Sequence, residues 1–379
     1  MADSTKPENG SKYEADLKRN INDLDLWDDD ISDEILSSYD SDILLMPDKK
    51  QRTNKEMTVK VDIKVSTDQL ARHGTPLERF RPGYLWVSDL TKQNWCEQQL
   101  YYSFTMSGII EVNPVVQKVM TEGSNLHLAR ELAVHDTVPV KVTSNEDIWA
   151  IKVINLLNAV QGFLNGVTLA REVPIFGAPF QQDVFFVGLI DELRFDPESY
   201  NIDLLELKTK AFKSPPSKAQ KSQHRLQVLL YKKLFDDLVK GNLSKETVAK
   251  HLRLDLKRDF GEAVSLELTK HLVEFQNLDG LLDHLFQRMQ CLTCVSQLHI
   301  EYVHQESKQT LYHHTEDYDD DDLSNIFEDY LKFWRGQRPI AGVDIEEAWK
   351  CQKCDFADIC EWRAKKSEEY SSKNKAKIK

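Results

Sequence analysis

Three apolar segments, rich in β-branched residues, follow one another between residues 168 and 209 and constrain the fold more than any other feature. They cover residues 168–175, 184–195 and 202–209. The last two are separated by a short connection that contains Asp196-Pro197-Glu198-Ser199, and Pro and Ser in such a connection mark a turn. The pattern therefore predicts adjacent antiparallel strands, and a core built around a β-sheet.

Helical spacing surrounds these segments on both sides, in residues 114–134, 147–164 and 217–239. Asn113-Pro114 is a cap followed by proline at the first helical position, and it begins the helix that carries His127. Ser88 is predicted to be the N-cap of a helix that carries Cys96. Residues 298–303 are predicted to form one more strand. Helices on both sides of a central group of strands predict an α/β fold.

The formal net charge of −13 is concentrated in residues 1–50 and in the acidic run 316–322. The rest of the chain is close to neutral, so a basic groove for nucleic acid remains compatible with it. Residues 1–70 are acidic and have little apolar periodicity, which predicts a disordered tail. Lysines near the end predict a basic C-terminal tail over residues 366–379. Residues 71–365 are then the folded domain.

No apolar run approaches the ~18 residues that a membrane helix needs, so no membrane partner is expected. The first residues lack the charged and then apolar layout of a secretory signal, and their acids disfavour a mitochondrial transit peptide. The expected location is therefore the nucleus or the cytosol.

Charged side chains stand inside two of the predicted strands. Glu206 and Lys208 project to the same face of their strand because side chains alternate in direction, and a hairpin can bring Asp191 beside them. Two carboxylates provide the oxygen ligands that Mg²⁺ or Mn²⁺ prefers, and an ammonium can orient an attacking water. The alternative is a set of ordinary surface charges, but an unpaired charge in an apolar strand costs several kcal/mol or more.

Six cysteines, at positions 96, 291, 294, 351, 354 and 360, include two Cys-x-x-Cys pairs. In a reducing compartment such pairs indicate metal or redox chemistry more than disulfides. Cys351, Cys354 and Cys360 supply three closely spaced thiolates, and the fourth comes from Cys96 or from the pair at 291 and 294. Spacing alone leaves zinc and an iron–sulfur cluster open. Apolar helical spacing favours buried helix cysteines at 291 and 294.

The motifs occur in an order that resembles the RecB-type nucleases of the PD-(D/E)XK superfamily. The motifs are Gly123-x-x-x-His127, Gly188-Leu-Ile-Asp191, Glu206-Leu-Lys208-Thr-Lys and Gln227-x-x-x-Tyr231. Cys96 and the closing cysteines resemble the iron–sulfur branch, and the whole order is similar to the eukaryotic exonuclease V family over about residues 75–365. One departure is that Leu189-Ile190, and not proline, precedes Asp191.

This resemblance implies a restriction-endonuclease-like core with a helical part that bears an iron–sulfur cluster. It implies that His127, Asp191, Glu206 and the Leu207 carbonyl bind the metal ions and that Lys208 aligns the water. It also implies that the helix side chains of the fourth motif support the site. These side chains are Gln227 and Tyr231. The implied ligands of a 4Fe–4S cluster are Cys96, Cys351, Cys354 and Cys360.

The function implied by the resemblance is Mg²⁺-dependent hydrolysis of single-stranded DNA, mainly from 5′ ends, in DNA repair and genome maintenance. The resemblance also implies that the protein is a monomer, that it is located in the nucleus, and that replication protein A is a partner. Two alternatives remain: a RecB-like iron–sulfur nuclease that acts on duplex ends or flaps, and a catalytically silent single-strand-binding scaffold. Cleavage assays with and without Mg²⁺ separate the scaffold from an enzyme.

Overall fold

The computed structural model describes residues 74–106, 114–131, 140–270 and 275–377. The predicted acidic tail, residues 1–70, lies outside these ranges. The predicted basic tail, residues 366–379, belongs as far as Lys377 to the last helix.

Helices and strands occur in groups along this part of the chain. The helices are α1 (Pro76–Phe80), α2 (Val87–Trp95), α3 (Glu97–Thr105), α4 (Pro114–Glu131), α5 (Asn145–Leu164), α6 (Lys218–Val239), α7 (Lys245–Leu252), α8 (Glu262–Lys270), α9 (Leu278–Met289), α10 (Asp320–Trp334) and α11 (Glu361–Lys377). The strands are β1 (Tyr84–Trp86), β2 (Leu169–Gly177), β3 (Phe185–Asp196), β4 (Asn201–Lys210), β5 (Val295–His304) and β6 (Thr310–Glu316). Short 3₁₀ segments cover Pro179–Gln181 and Ile345–Lys353.

The three predicted strands are confirmed as β2, β3 and β4, and they pair antiparallel in sequence order. The prediction around Ser88 was wrong. Ser88 lies inside α2, because the carboxylate of Asp89 accepts the backbone N–H of Trp86 at 2.9 Å and the helix begins two residues earlier, with Trp86 as its N-cap. Cys96 lies between α2 and α3 with an extended backbone, and so is not carried within a helix.

The six strands form one mixed sheet in the order β1-β3-β4-β5-β6, and β2 pairs with the other edge of β3. β1 and β4 share the edge of β3 that β2 leaves open. β1 pairs with β3 only at Phe185–Val187, and β4 pairs with β3 only from Glu192 to Asp196. Residues 188–191 lie between these two partners. Beyond the Glu192–Leu205 pair, β4 leaves β3 and continues parallel to β5. We call this divergence of β3 and β4 the fork.

Two helices border the fork. Leu126 of α4 packs on Leu205 and Leu207 of β4, so α4 covers that face of the strand. Glu206 and Lys208 project to the opposite face because strand side chains alternate. Helix α6 packs on β2, β4 and β5. Its first turn is capped by Ser217 and Gln220, which exchange side-chain to backbone hydrogen bonds.

Candidate active site

The fork brings together three predicted site residues. The backbone N–H of Leu207 donates to Oδ2 of Asp191 at 2.7 Å, across the point where the β3–β4 ladder ends. Glu206 and Lys208 flank Leu207, and Nζ of Lys208 lies 3.4 Å from Oε1 of Glu206. The three charged side chains are 4%, 1% and 3% exposed, a degree of burial that requires compensation by opposite charge or by a ligand.

A second group of donors meets Asp191 from the side of α4 and β2. Nδ1 of His127 lies 3.4 Å from Oε1 of Glu172 and 3.6 Å from Oδ1 of Asp191. The ligand atoms of these three residues lie within 4.8 Å of one another, which fits a metal ion. Burial alone would lower the pKa of His127, but the charge of Asp191 and the hydrogen bond to Glu172 outweigh it and raise the pKa.

The structure therefore groups His127 and Asp191 with Glu172, whereas the resemblance groups them with Glu206. Sequence reasoning missed Glu172. The available signal was a charged residue within an apolar segment, in Arg171-Glu172-Val173. That signal is weak, because alternate residues of a strand often face water.

The neighbouring carboxylate of Glu192 has a different role from that of Asp191. It is 2% exposed and is bound by three guanidinium groups: Arg171 at 2.8 Å, Arg194 at 2.6 Å and Arg130 at 3.4 Å. Burial raises the pKa of Glu192, but these arginines more than offset it and hold the pKa below the usual range. Glu192 is therefore a structural carboxylate, fully engaged by protein cations.

Helix α6 places Gln227 and Tyr231 against the sheet, where they are 2% and 0% exposed. Nε2 of Gln227 donates to the hydroxyl of Tyr231 at 3.1 Å. Oε1 of Gln227 is buried and accepts no hydrogen bond from the described residues, so an acceptor remains for a ligand. Gly188 allows this packing, because a Cβ there would lie 2.5 Å from Cε1 of Tyr231.

The structure separates the cysteines into two sets. One pocket is lined by Cys96, Cys351, Cys354 and Cys360, with Tyr102, Phe356 and Trp362 among its other walls. Burial raises the pKa of Cys96 to about 11, against the lowering effect of the Gln99 backbone N–H at its sulfur. Burial, together with the other three sulfurs, raises the pKa of Cys354 to about 12, against the lowering effect of the Phe356 backbone N–H. Four sulfurs this close fit a metal centre, whose positive charge would favour the thiolates.

Cys291 and Cys294 do not line this pocket. The prediction that they are buried helix cysteines was wrong. α9 ends at Met289, and both residues lie in the connection to β5, where Cys291 is exposed. The helix ends there because Gln290 and the following turn close it, with the backbone N–H of Cys291 donating to the Arg288 carbonyl at 3.1 Å.

Comparison with known proteins identifies the family of this chain. The family model of exonuclease V, described as a 5′ deoxyribonuclease, matches residues 75–201, 196–271 and 264–363. Exonuclease V of Danio rerio is 33% identical over 379 residues, which span 92% of this chain and 95% of that protein. The chain belongs to the exonuclease V family.

As a member of this family the chain is a DNA exonuclease, a nuclease of the hydrolase class. A crystal structure of SSO0001 matches at a TM-score of 0.35 and 13% identity, covering 78% of this chain and 92% of that chain. Within the described ranges, no helix combines the length and the apolar character required to cross a membrane.

Proposed function

We propose that this exonuclease V homologue hydrolyses single-stranded DNA with Mg²⁺ or Mn²⁺ at the fork, starting from 5′ ends, and that its core is of the PD-(D/E)XK type. The observation that carries the proposal is the convergence of Asp191, Glu206 and Lys208 where β3 and β4 diverge. Their burial also favours single-stranded DNA over a duplex, because a phosphate of the DNA must enter between β3 and β4 to reach them. The family resemblance supports the further proposal of a role in DNA repair.

The side chains at the fork divide the work of hydrolysis. Asp191, Glu206 and His127, with the Leu207 carbonyl, would hold the divalent ions. Bound there, such an ion supplies Lewis-acid stabilisation of charge on the phosphate oxygens and favours ionisation of the water.

Lys208 lies beside Glu206 at 3.4 Å, where its ammonium can orient the attacking water and offset phosphate charge. Gln227 and Tyr231 form a buried, hydrogen-bonded pair on α6. The Oε1 atom of Gln227 can accept a hydrogen bond from the substrate or from a bound water. This pair would position the substrate and would not take part in bond cleavage.

We further propose that Cys96, Cys351, Cys354 and Cys360 hold a 4Fe–4S cluster. The residues present fit the group: four sulfurs line one pocket, and backbone N–H groups of Gln99 and Phe356 donate to two of them. The cluster would link the connection between α2 and α3 to the C-terminal segment. Its role would be structural, because hydrolysis requires no electron transfer.

The test of the activity uses anaerobically purified full-length protein and oligonucleotides labelled at either end, offered as single strands, duplexes and flaps, with Mg²⁺ or with EDTA. We expect Mg²⁺-dependent shortening of single strands with free 5′ ends. Glu206→Ala and Lys208→Ala should each lower cleavage by orders of magnitude, and the double variant should cost little more than either single one. Near-normal cleavage by Glu206→Ala would contradict the site.

The matched control is Glu198→Gln, which removes an exposed carboxylate from the β3–β4 turn and should cleave normally. Preferred cleavage of duplex ends or flaps would favour the related nuclease activity, and binding without cleavage would indicate a scaffold.

A monomeric state, a nuclear location and association with replication protein A are proposals from the family resemblance. Light scattering, fluorescence microscopy of the tagged chain and co-purification test them in turn.

A further inference from the structure

Glu172 occupies an unusual place in β2. The flanking pairs are Arg171 with Glu192 and Val173 with Ile190, so Glu172 falls directly opposite Asp191 on the neighbouring strand. Two like charges directly opposite each other in an antiparallel pair are destabilising. A sheet that keeps both carboxylates there needs a positive charge between them.

The backbone at Glu172 adds a second cost. Its φ is +48°, in the left-handed region, although it lies within an antiparallel strand. A residue with a Cβ pays about 1 kcal/mol or more for this conformation, and a glycine would not. The register continues on both sides, but no strand pair forms at Glu172 itself, and its carboxylate lies 3.4 Å from Nδ1 of His127.

The donor atoms are suited to a transition-type divalent ion. Ligand bonds of about 2.1 Å place the donors of one octahedral ion no more than about 4.2 Å apart. The atoms of His127, Glu172 and Asp191 already lie within 4.8 Å of one another, so a further approach of about 0.6 Å would bring them to that limit. One imidazole nitrogen with two carboxylates suits Mn²⁺ better than Mg²⁺, because imidazole is the softer ligand.

Glu206 does not belong to this group of donors, and its Oε1 lies beside the Lys208 ammonium. We propose that Glu172 is a metal ligand, and that with His127 and Asp191 it forms a divalent-ion position that does not depend on Glu206. This inference rests on the proposed function, since it concerns the same metal-dependent site. Asp191 would then lie between two ion positions: Oδ1 faces His127, while Oδ2 faces β4 at the backbone N–H of Leu207.

The experiment measures Mn²⁺ binding to anaerobically purified full-length protein without DNA, by electron paramagnetic resonance of free Mn²⁺ and by calorimetry. We expect Glu172→Gln to weaken the tightest Mn²⁺ site by at least about tenfold. Glu206→Gln should retain that site. Glu198→Gln, the exposed carboxylate on the same hairpin, should bind as the wild type does. Equal Mn²⁺ affinity in Glu172→Gln and the wild type would overturn the proposal.

Glu172→Gly gives a second readout that a purely structural carboxylate would not produce. Glycine accepts the left-handed backbone and removes one of the two opposed charges, so the metal-free variant should melt at or above the wild-type temperature. Its melting temperature should no longer rise on addition of Mn²⁺, since the ion stabilises only a protein that binds it. An unchanged Mn²⁺-induced rise in Glu172→Gly would also overturn the proposal.

These outcomes are separable from those of the proposed function. Cleavage that survives in Glu206→Ala contradicts the nuclease site itself. Cleavage lost in Glu206→Ala, together with unchanged Mn²⁺ affinity in Glu172→Gln, leaves the nuclease site intact and removes only the role of Glu172.

Discussion

The carboxylate of Asp191 accepts the backbone N–H of Leu207, with 2.7 Å between Oδ2 and the nitrogen. This bond replaces a ladder hydrogen bond at the position where β4 turns away from β3. It therefore gives one side chain two roles, since the same carboxylate faces His127 through its other oxygen. The stability of the fork and the chemistry of the site are coupled through Asp191.

Two substitutions of Asp191 should separate these roles. Asp191→Asn keeps an oxygen acceptor for Leu207 but lacks the charge, so cleavage should fall by orders of magnitude with little loss of stability. Asp191→Ala should be equally inactive and should also lower the free energy of unfolding by about 1–3 kcal/mol, because a buried N–H loses its acceptor. Cleavage assays and urea unfolding of both variants measure the difference. Equal stability of the two variants would contradict the structural role of the hydrogen bond.

Gly188 is predicted to be required for its lack of a side chain. In Gly188→Ala the new Cβ would lie 2.5 Å from Cε1 of Tyr231 and 3.1 Å from Cγ2 of Val87, so the ring must move. We expect a loss of about 1–3 kcal/mol in the free energy of unfolding and a fall in the cleavage rate. Gly162→Ala in α5 is the matched control. Its Cβ would meet Val167 at 3.5 Å, an ordinary contact, and alanine favours the helix.

Thermal or urea unfolding and single-turnover cleavage measure both glycine variants. Gly162→Ala should be as stable as the wild type or slightly more stable, and fully active. A Gly188→Ala protein with wild-type stability and rate would show that Tyr231 can shift without consequence.

Patterns local in sequence predicted the strands and helices well. The alternation in 202–209 and the turn before it predicted β4, and the helical spacing of residues 217–239 predicted α6. Glu206 and Lys208 were predicted on one face for the same reason. The fork was not predictable, because it arises where β1 and β4 share one edge of β3, a relation between segments about a hundred residues apart.

Glu172 was missed for a related reason. Its position opposite Asp191 depends on the pairing register, and its left-handed backbone leaves no mark in composition. Burial of the cysteines likewise depends on tertiary placement. Helical spacing around Cys291 and Cys294 suggested a helix, but α9 ends before them.

Glu192 should make the stability of the protein depend on pH. Its pKa is held below the ordinary value by Arg171 and Arg194, despite burial, so the ionised form stabilises the folded state. That contribution is fully present above the unfolded pKa of about 4.3 and is lost as the pH falls through the lower folded value. Glu192→Gln should therefore cost about 3 kcal/mol at pH 7.

The measurement is urea unfolding of Glu192→Gln and wild type from pH 7 to pH 3.5, compared at each pH so that acid effects common to both cancel. The difference in the free energy of unfolding should shrink below about pH 4.3. Glu198→Gln should differ little from the wild type throughout, because its carboxylate is exposed. A Glu192→Gln difference that stays constant down to pH 3.5 would contradict the assignment of a lowered pKa.

The last prediction separates the two cysteine sets. Cys96 lies between α2 and α3, and the other three sulfurs of its pocket come from residues 351–360, so a metal centre there joins positions more than 250 residues apart. Cys96→Ser should lose that link, and with it iron, brown colour and much of the stability. Cys291→Ser with Cys294→Ser should retain all three properties, because these residues lie outside the pocket.

Iron and zinc analysis of anaerobically purified proteins, with absorption spectra and melting curves, measures these differences. The wild type and the double variant should contain about four irons per chain if the cluster is a cubane. A colourless wild type that contains zinc would replace the cluster by a zinc site, and full iron content in Cys96→Ser would remove Cys96 from the ligand set.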